Sequence, residues 1–124
     1  MTTPTATRIL VVDDDKSVRD AITRLLTQRG FAVESAETGE EALRKLTAGR
    51  FSLMLLDVRM PGINGMDVLP KALDLDADLA ILMLTGVSDL TTAARAMQRG
   101  AREFLTKPLD LAQLTAAIDR TLGR

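Results

Sequence analysis

The sequence predicts an α/β fold in which a parallel β-sheet is covered by helices on both faces. Strand and helix signals alternate five times along the 124 residues. Most of the strand segments are apolar throughout, which is typical of strands that are buried on both faces. Parallel strands that are joined through helices by right-handed crossovers account for this alternation. The length of the chain fits one domain.

The first two strand–helix units precede residue 50. Residues 9–12 are an apolar run, and apolar residues at helical spacing then continue to Gly30, which ends the first helix. The second strand, residues 31–36, alternates apolar and polar side chains more than the others, which predicts an edge strand with one wetter side. Thr38 and Glu41 have the spacing of a capping box for the second helix.

The third strand is apolar over residues 53–56 and ends abruptly in the carboxylate of Asp57. A cluster of proline, asparagine and glycine at residues 61–65 then dictates a loop. We expect the following helix to run from Met66 to about residue 73 and to be short, because Pro70 lacks the backbone donor that a longer helix needs. Taken alone, Asp57 is equally well explained as a residue that turns the chain out of the strand.

The last two units follow the same rhythm. The apolar run 79–84 leads to Thr85, and 103–106 is a short strand before Lys107. Asp110 with Gln113 predicts the N-terminus of the final helix. The apolar faces predicted for the fourth and fifth helices consist of Leu90, Ala93, Ala94 and Met97, and of Leu111, Leu114, Ile118 and Leu122.

Composition excludes several kinds of site. The chain has no cysteine and no histidine, so disulfides, thiolate chemistry, histidine metal ligands and a phosphohistidine donor are all ruled out, and a metal must be held by oxygen. Sixteen basic and 17 acidic residues, with 2% aromatics, give no support for a nucleic-acid-binding surface. No apolar run reaches membrane-spanning length. Residues 1–7 lack the features of a signal peptide and are expected to be a flexible tail.

Polar residues follow four of the predicted strands. These residues are Asp13, Asp14 and Asp15 after the first strand, Asp57 after the third, Thr85 after the fourth and Lys107 after the fifth. Parallel strands point their carboxyl ends to one edge of the sheet, so these side chains should gather there. Converging carboxylates repel one another, which raises a pKa unless a cation such as Mg²⁺ neutralises them. An aspartate in such a site is a nucleophile toward phosphorus.

The segments VVDDD, LLDVRMPGING, ILMLTG and GAREFLTKPLD, in this order and spacing, resemble the phosphoacceptor receiver domain of two-component response regulators. The resemblance covers residues 8–124 and implies a five-stranded, flavodoxin-like sheet of order 2-1-3-4-5. It implies that Asp57 is phosphorylated, that Asp14 binds Mg²⁺ directly, that Asp13 acts on the metal through water, and that the backbone carbonyl of Arg59 is a further ligand.

The resemblance also assigns the remaining site residues. Thr85 and Lys107 would contact the phosphoryl group, Thr85 and Phe104 would form the conformational switch, and a cis Lys107–Pro108 bond would aim the lysine at the site. Asp15 is interpreted as a helix cap rather than a metal ligand. In such domains, the positions of Arg59 and Val87 flank the path of the water that hydrolyses the phosphate. We therefore expect these two side chains to lengthen the life of the phosphate.

A sensor histidine kinase or a phosphotransfer protein would supply the phosphoryl group, and a shift between two conformations would be the result. The domain would catalyse only its own phosphorylation and dephosphorylation, in the cytoplasm. The resemblance leaves open an output domain, either in the same chain or absent, and a homodimer formed on phosphorylation. The segment from Thr85 onward looks most like receivers attached to enhancer-binding transcription activators or cyclic-dinucleotide phosphodiesterases.

Two alternatives remain at this point. Asp13-x-Asp15 after an apolar strand, with Thr85 and Lys107 downstream, also fits a small haloacid dehalogenase-like phosphatase in which Asp13 is the nucleophile. That interpretation leaves Asp57 and the loop after it unexplained, and the chain is short for such an enzyme. A degenerate receiver that binds partners without phosphorylation is disfavoured because each core residue of the site is present.

Overall fold

The structure is a computed structural model that describes residues 7–123. Residues 1–6 of the predicted tail lie outside the described residues. The remaining tail residue, Thr7, accepts a hydrogen bond through its backbone oxygen from the amide of Ala32 at 2.9 Å. Thr7 is therefore attached to the second strand of the sheet.

A parallel sheet of five strands forms the centre of the described chain, in the order β2-β1-β3-β4-β5. This is the order that the sequence resemblance predicted. The strands are β1 (Arg8–Val12), β2 (Ala32–Ala36), β3 (Leu53–Asp57), β4 (Ala80–Thr85) and β5 (Glu103–Thr106).

Within residues 7–123, five α-helices cover the two faces of the sheet. They are α1 (Lys16–Gln28), α2 (Gly39–Ala48), α3 (Gly65–Leu75), α4 (Leu90–Gln98) and α5 (Leu111–Leu122). Buried residues of α1 and α5 share one hydrophobic cluster with one face of the sheet, and those of α2, α3 and α4 share a second cluster with the opposite face. No helix within residues 7–123 combines the length and the apolar character that crossing a bilayer requires.

Burial along the strands explains their order. Every residue of β3 and β4 is buried, whereas β2 places Ala32 and Glu34 in solvent. A strand that is covered on both faces must be apolar on both, while an edge strand tolerates alternation. The edge position predicted for β2 is confirmed.

Polar side chains cap the helices largely as predicted. The Asp15 carboxylate accepts a hydrogen bond from the Ser17 amide at the start of α1, and Asp110 accepts from Ala112 and Gln113 at the start of α5. At α2, the hydroxyl oxygen of Thr38 accepts from the Glu41 amide. The predicted reciprocal bond is wrong, because the Glu41 side chain accepts from the amide of Glu37.

The prediction of a short third helix is wrong, because α3 has 11 residues and continues past Pro70. A complete capping box between Asn64 and Asp67 satisfies amides at its N-terminus. The helix also buries Val68, Leu69 and Ala72 in the core. These contributions offset the backbone hydrogen bond that proline removes.

The apolar face predicted for α4 is correct at Ala93 and wrong at the other three positions. Its buried residues are Ala93 and Ala96, whereas Leu90, Ala94 and Met97 are exposed. Small alanine side chains allow the helix backbone to approach the sheet closely, and the larger apolar side chains then lie outside the contact. A similar shift occurs in α5, where Ala117 is buried and Leu111 is exposed.

The close approach between Gly65 and the end of β3 yields a prediction for stability. A β-carbon at Gly65 would lie 2.3 Å from the backbone oxygen of Asp57, whereas the nearest atom to a β-carbon at Gly86 would be 3.8 Å away. Gly65→Ala should therefore lower the free energy of unfolding by about 1–3 kcal/mol, and the control Gly86→Ala should change it by less than about 0.5 kcal/mol. Urea unfolding measures both, and equal midpoints for the two variants would contradict the prediction.

Candidate functional site

The predicted site residues meet at the carboxyl edge of the sheet. Nζ of Lys107, just after β5, lies 2.7 Å from Oδ2 of Asp13 and 3.3 Å from Oδ2 of Asp57. Oxygens from the carboxylates of Asp13, Asp14 and Asp57 lie within 4.8 Å of one another. The backbone oxygen of Thr85 accepts a hydrogen bond from the amide of Lys107 at 2.7 Å. The convergence of four strand ends therefore occurs as expected.

Hydrogen bonds hold Asp13 in place just after β1. The Asp13 amide donates to the carbonyl of Ala36 at 3.2 Å, and its Oδ1 accepts from the amide of Asp15 at 2.9 Å. A guanidinium nitrogen of Arg19 donates to the Asp13 carbonyl at 2.7 Å. The contribution of Arg19 was not predicted from the sequence. Asp13 is buried as a result, while Asp14 is exposed at the mouth of the site.

Asp57 is the last residue of β3 and is 5% exposed. The next residue, Val58, donates its amide to the carbonyl of Leu84 at 2.9 Å, which keeps the chain on the sheet beyond the strand. The amide of Arg59 donates to Oδ1 of Asp57 at 3.3 Å. The carboxylate thus has a fixed position at the bottom of the site.

The electrostatics of the site depend on burial first. Burial, and after it the nearby charge of Asp13, raise the pKa of Asp57 from its ordinary value of 3.8 to about 7, while Lys107 opposes the shift. Burial also works against the charged form of Lys107. Its contacts with Asp13 and Asp57 outweigh that effect and raise its pKa. Lys107 therefore stays a cation beside two carboxylates.

The donor set fits a hard cation. Oδ2 of Asp13 is buried and receives no hydrogen bond of good geometry from residues 7–123, although Nζ of Lys107 is close to it. A buried carboxylate oxygen without a hydrogen bond is costly. Together with Asp14 and Asp57, it forms an all-oxygen cluster of the kind that binds Mg²⁺.

The two predicted switch residues have clear positions. The hydroxyl of Thr85 is buried and donates to the carbonyls of Gly86 at 3.2 Å and Asp89 at 3.4 Å. Phe104 is 40% exposed.

The Lys107–Pro108 peptide bond is cis, as predicted.

Arg59 makes a contact that the sequence analysis missed. Its guanidinium binds both carboxylate oxygens of Asp89, with nitrogen–oxygen distances of 2.6–2.9 Å. Hydrogen bonds from Arg59 lower the pKa of Asp89. Asp89 ends a 3₁₀ turn, Val87–Asp89, that was not predicted. An aspartate just before a helix is normally interpreted as its cap, so the pattern gave no signal for this ion pair. Val87, the second predicted flanking residue, is exposed.

The raised pKa of Asp57 gives a pH dependence of stability. The folded protein binds this proton more tightly than the unfolded chain, so the proton contributes stability below pH 3.8 that is lost as pH rises through about 7. In Mg²⁺-free buffer, the parent should therefore lose stability relative to Asp57→Asn between about pH 4 and 7. Chemical unfolding of both proteins across this range provides the test, and a constant difference between them would contradict the pKa shift.

Comparison with known proteins is consistent with this geometry. The family model described as the response regulator receiver domain matches residues 9–119. The DNA-binding transcriptional regulator NtrC of Azospirillum brasilense is 36% identical over 95% of this chain and 24% of its own length. The response regulator MprA of Mycolicibacterium vanbaalenii is 38% identical over 94% of this chain and 51% of its own length. The chain thus spans from a quarter to half of these curated relatives.

Two solved structures are similar to the whole fold. The CheY-like receiver domain protein of Methanospirillum hungatei has a TM-score of 0.91 and 32% identity, with 96% of this chain and 95% of that chain covered. A response regulator of Burkholderia pseudomallei, solved with a phosphorylated aspartic acid, a calcium ion and citrate, has a TM-score of 0.83 and 32% identity over 90% of this chain and 65% of that one. The phosphatase alternative is not favoured by these relatives, and the chain belongs to the response regulator receiver domain family.

Proposed function

We propose that this receiver domain takes a phosphoryl group onto Asp57 from the phosphohistidine of a sensor histidine kinase or a phosphotransfer protein. The observation that carries the proposal is the contact of one cation, Lys107, with both Asp57 and Asp13 in a buried cluster. The cation is placed to stabilise the added negative charge of a phosphoryl group. The relative from Burkholderia pseudomallei, which holds a phosphorylated aspartic acid, supports the same chemistry.

The transfer is a displacement at phosphorus. A carboxylate oxygen of Asp57 forms the new phosphorus–oxygen bond while the bond from phosphorus to the donor histidine nitrogen breaks. The electron pair of that bond stays on the ring nitrogen. A phosphohistidine that is protonated on its other nitrogen leaves as neutral imidazole, and an unprotonated one leaves as an imidazolate that takes a proton from water. Asp57 becomes a mixed anhydride. Lys107 and the Thr85 hydroxyl hold oxygens of the phosphoryl group.

Mg²⁺ is the proposed cofactor. Asp14 would bind it directly and Asp13 through water, with a carboxylate oxygen of Asp57 and the backbone carbonyl of Arg59 as further ligands. The bound ion supplies charge neutralisation among the three carboxylates and the incoming phosphoryl oxygens. The buried Asp13 oxygen without a good hydrogen bond supports this assignment.

The signal is proposed to leave the site through Thr85 and Phe104. To reach the phosphoryl group, the Thr85 hydroxyl must give up the carbonyls of Gly86 and Asp89. Its movement makes room for the half-exposed ring of Phe104 to turn inward, and a phenyl ring has no hydroxyl to leave unpaired when it is buried. The surface of α4 and β5 would then differ between the two states.

For the whole protein, we propose a cytoplasmic regulator whose output is controlled by this switch. The relatives NtrC and MprA are longer than the aligned region, which supports an output domain in the same chain. A homodimer formed on phosphorylation is a second route to output. The near-neutral charge of the chain supports no direct nucleic-acid contact by this segment. Its chemistry would be confined to its own phosphorylation and dephosphorylation, without turnover of other substrates.

We predict that Asp57→Asn abolishes acyl phosphate formation and leaves the fold intact, because an amide of the same shape cannot attack phosphorus. Mass spectrometry after incubation with Mg²⁺ and a small phosphodonor should show one added phosphate on the parent and none on the variant. Phosphate uptake by the variant at the parent's rate, or an acyl phosphate on Asp13, would refute the assignment. Circular dichroism of the variant provides the control for folding.

Another prediction concerns the lifetime of the phosphate. Arg59 can cover the site, and the apolar Val87 cannot orient an attacking water. Arg59→Asn and Val87→Glu should each speed loss of phosphate several-fold, and the double variant should lose it fastest. The decay of the phosphorylated species with saturating Mg²⁺ measures this, and an unchanged rate in the double variant would show that these positions do not govern the lifetime.

A further inference from the structure

The ion pair between Arg59 and Asp89 joins two loops at the mouth of the site. Arg59 lies in the loop after β3 and Asp89 in the 3₁₀ turn after β4. The Asp89 side chain is 6% exposed, while that of Arg59 is 77% exposed. Two guanidinium nitrogens contact the carboxylate, which is the fork geometry that makes arginine pairs directional. The guanidinium is thus held on the buried side chain of Asp89.

Asp89 occupies the N-cap position of α4 without performing the usual function of a cap. At α1, α2, α3 and α5, the side chain of the N-cap residue accepts hydrogen bonds from amides of the first turn. In α4 no such side-chain bond is present within the described chain. The carboxylate that would cap α4 is occupied by Arg59 instead.

The same turn, Val87–Asp89, also contacts Thr85. The Thr85 hydroxyl donates to the backbone carbonyl of Asp89, and the amide of Asp89 donates to the carbonyl of Gly86 at 2.9 Å. On the other side of the pair, the backbone amide of Arg59 contacts the Asp57 carboxylate. One ion pair therefore connects the acceptor aspartate to the turn that contacts the switch threonine.

We propose, in an inference that rests on the proposed function, that Asp89 is a positioning residue. It holds Arg59 until a phosphoryl group on Asp57 competes for the guanidinium. A phosphoryl group carries more negative charge and more acceptor oxygens than a carboxylate, so it attracts the guanidinium more strongly. When Arg59 leaves, the buried Asp89 carboxylate needs new donors, and the first amides of α4 provide them. Phosphorylation thereby changes the N-terminus of α4 through an exchange of partners.

The direct test is NMR of the parent chain with beryllofluoride and Mg²⁺, a non-covalent stand-in for the phosphoryl group. The Nε–H signal of Arg59, assigned by its loss in Arg59→Asn, should shift on saturation together with the amides of Thr91 and Thr92. If the parent protein binds beryllofluoride but the Arg59 Nε–H signal does not shift, this inference alone is overturned. A parent that does not bind it overturns the proposed function as well.

A variant gives an independent measurement. Asp89→Asn keeps the shape and the capping ability of the side chain but loses its charge, so Arg59 is released in advance. Its affinity for beryllofluoride should rise roughly fivefold, the scale expected for an ion pair with one exposed partner. The increase should disappear when Arg59→Asn is also present. Asp119→Asn is the matched control, because it removes one charge from an ion pair with Arg29 between α1 and α5.

The outcomes separate positioning from simple stabilisation. If Asp89 only stabilises the fold, Asp89→Asn will lower the urea midpoint and leave the affinity for beryllofluoride equal to that of Asp119→Asn, which overturns the proposal. If the affinity rises equally with and without Arg59, the effect is general charge removal, and the proposal also fails. If Asp89→Asn does not fold, the NMR measurement on the parent decides the question.

Discussion

The contact of Lys107 with Asp13 and Asp57 is the constraint on which the rest of the structure depends. Two carboxylates with little or no exposure cannot lie side by side at the end of a sheet without a cation. Lys107 supplies one positive charge to two negative ones, so the cluster retains a net negative charge. Burial, together with that imbalance, raises the pKa of Asp57, and the imbalance leaves the site short of positive charge. The same imbalance prepares the site for a divalent ion.

The sequence predicted the parts of the fold that depend on burial along whole strands. An apolar run such as residues 53–56 has one physical explanation, and parallel strands must bring Asp13, Asp57 and Lys107 to one edge. The strand order came from the family resemblance rather than from periodicity. These predictions held because they require only the direction of each strand and not the position of individual side chains.

The missed features depend on packing across elements, which a linear pattern does not contain. The apolar face of α4 was misplaced because alanine at Ala93 and Ala96 permits a close approach that larger residues prevent. The length of α3 was underestimated because the rule for Pro70 considers one lost hydrogen bond and omits the burial gained on the other side of the helix. The partner of Arg59 lies 30 residues away in another loop, so neither residue indicated the other.

The sheet separates two hydrophobic clusters, one with α1 and α5 and the other with α2, α3 and α4. In the three central strands, β1, β3 and β4, buried side chains alternate between the two clusters. Substitutions in one cluster should then leave the packing of the other unchanged, because they share few side-chain neighbours. The domain can therefore diversify one face while the opposite face stays constant, and only the acidic edge, to which strands and loops from both sides contribute, must satisfy both faces at once.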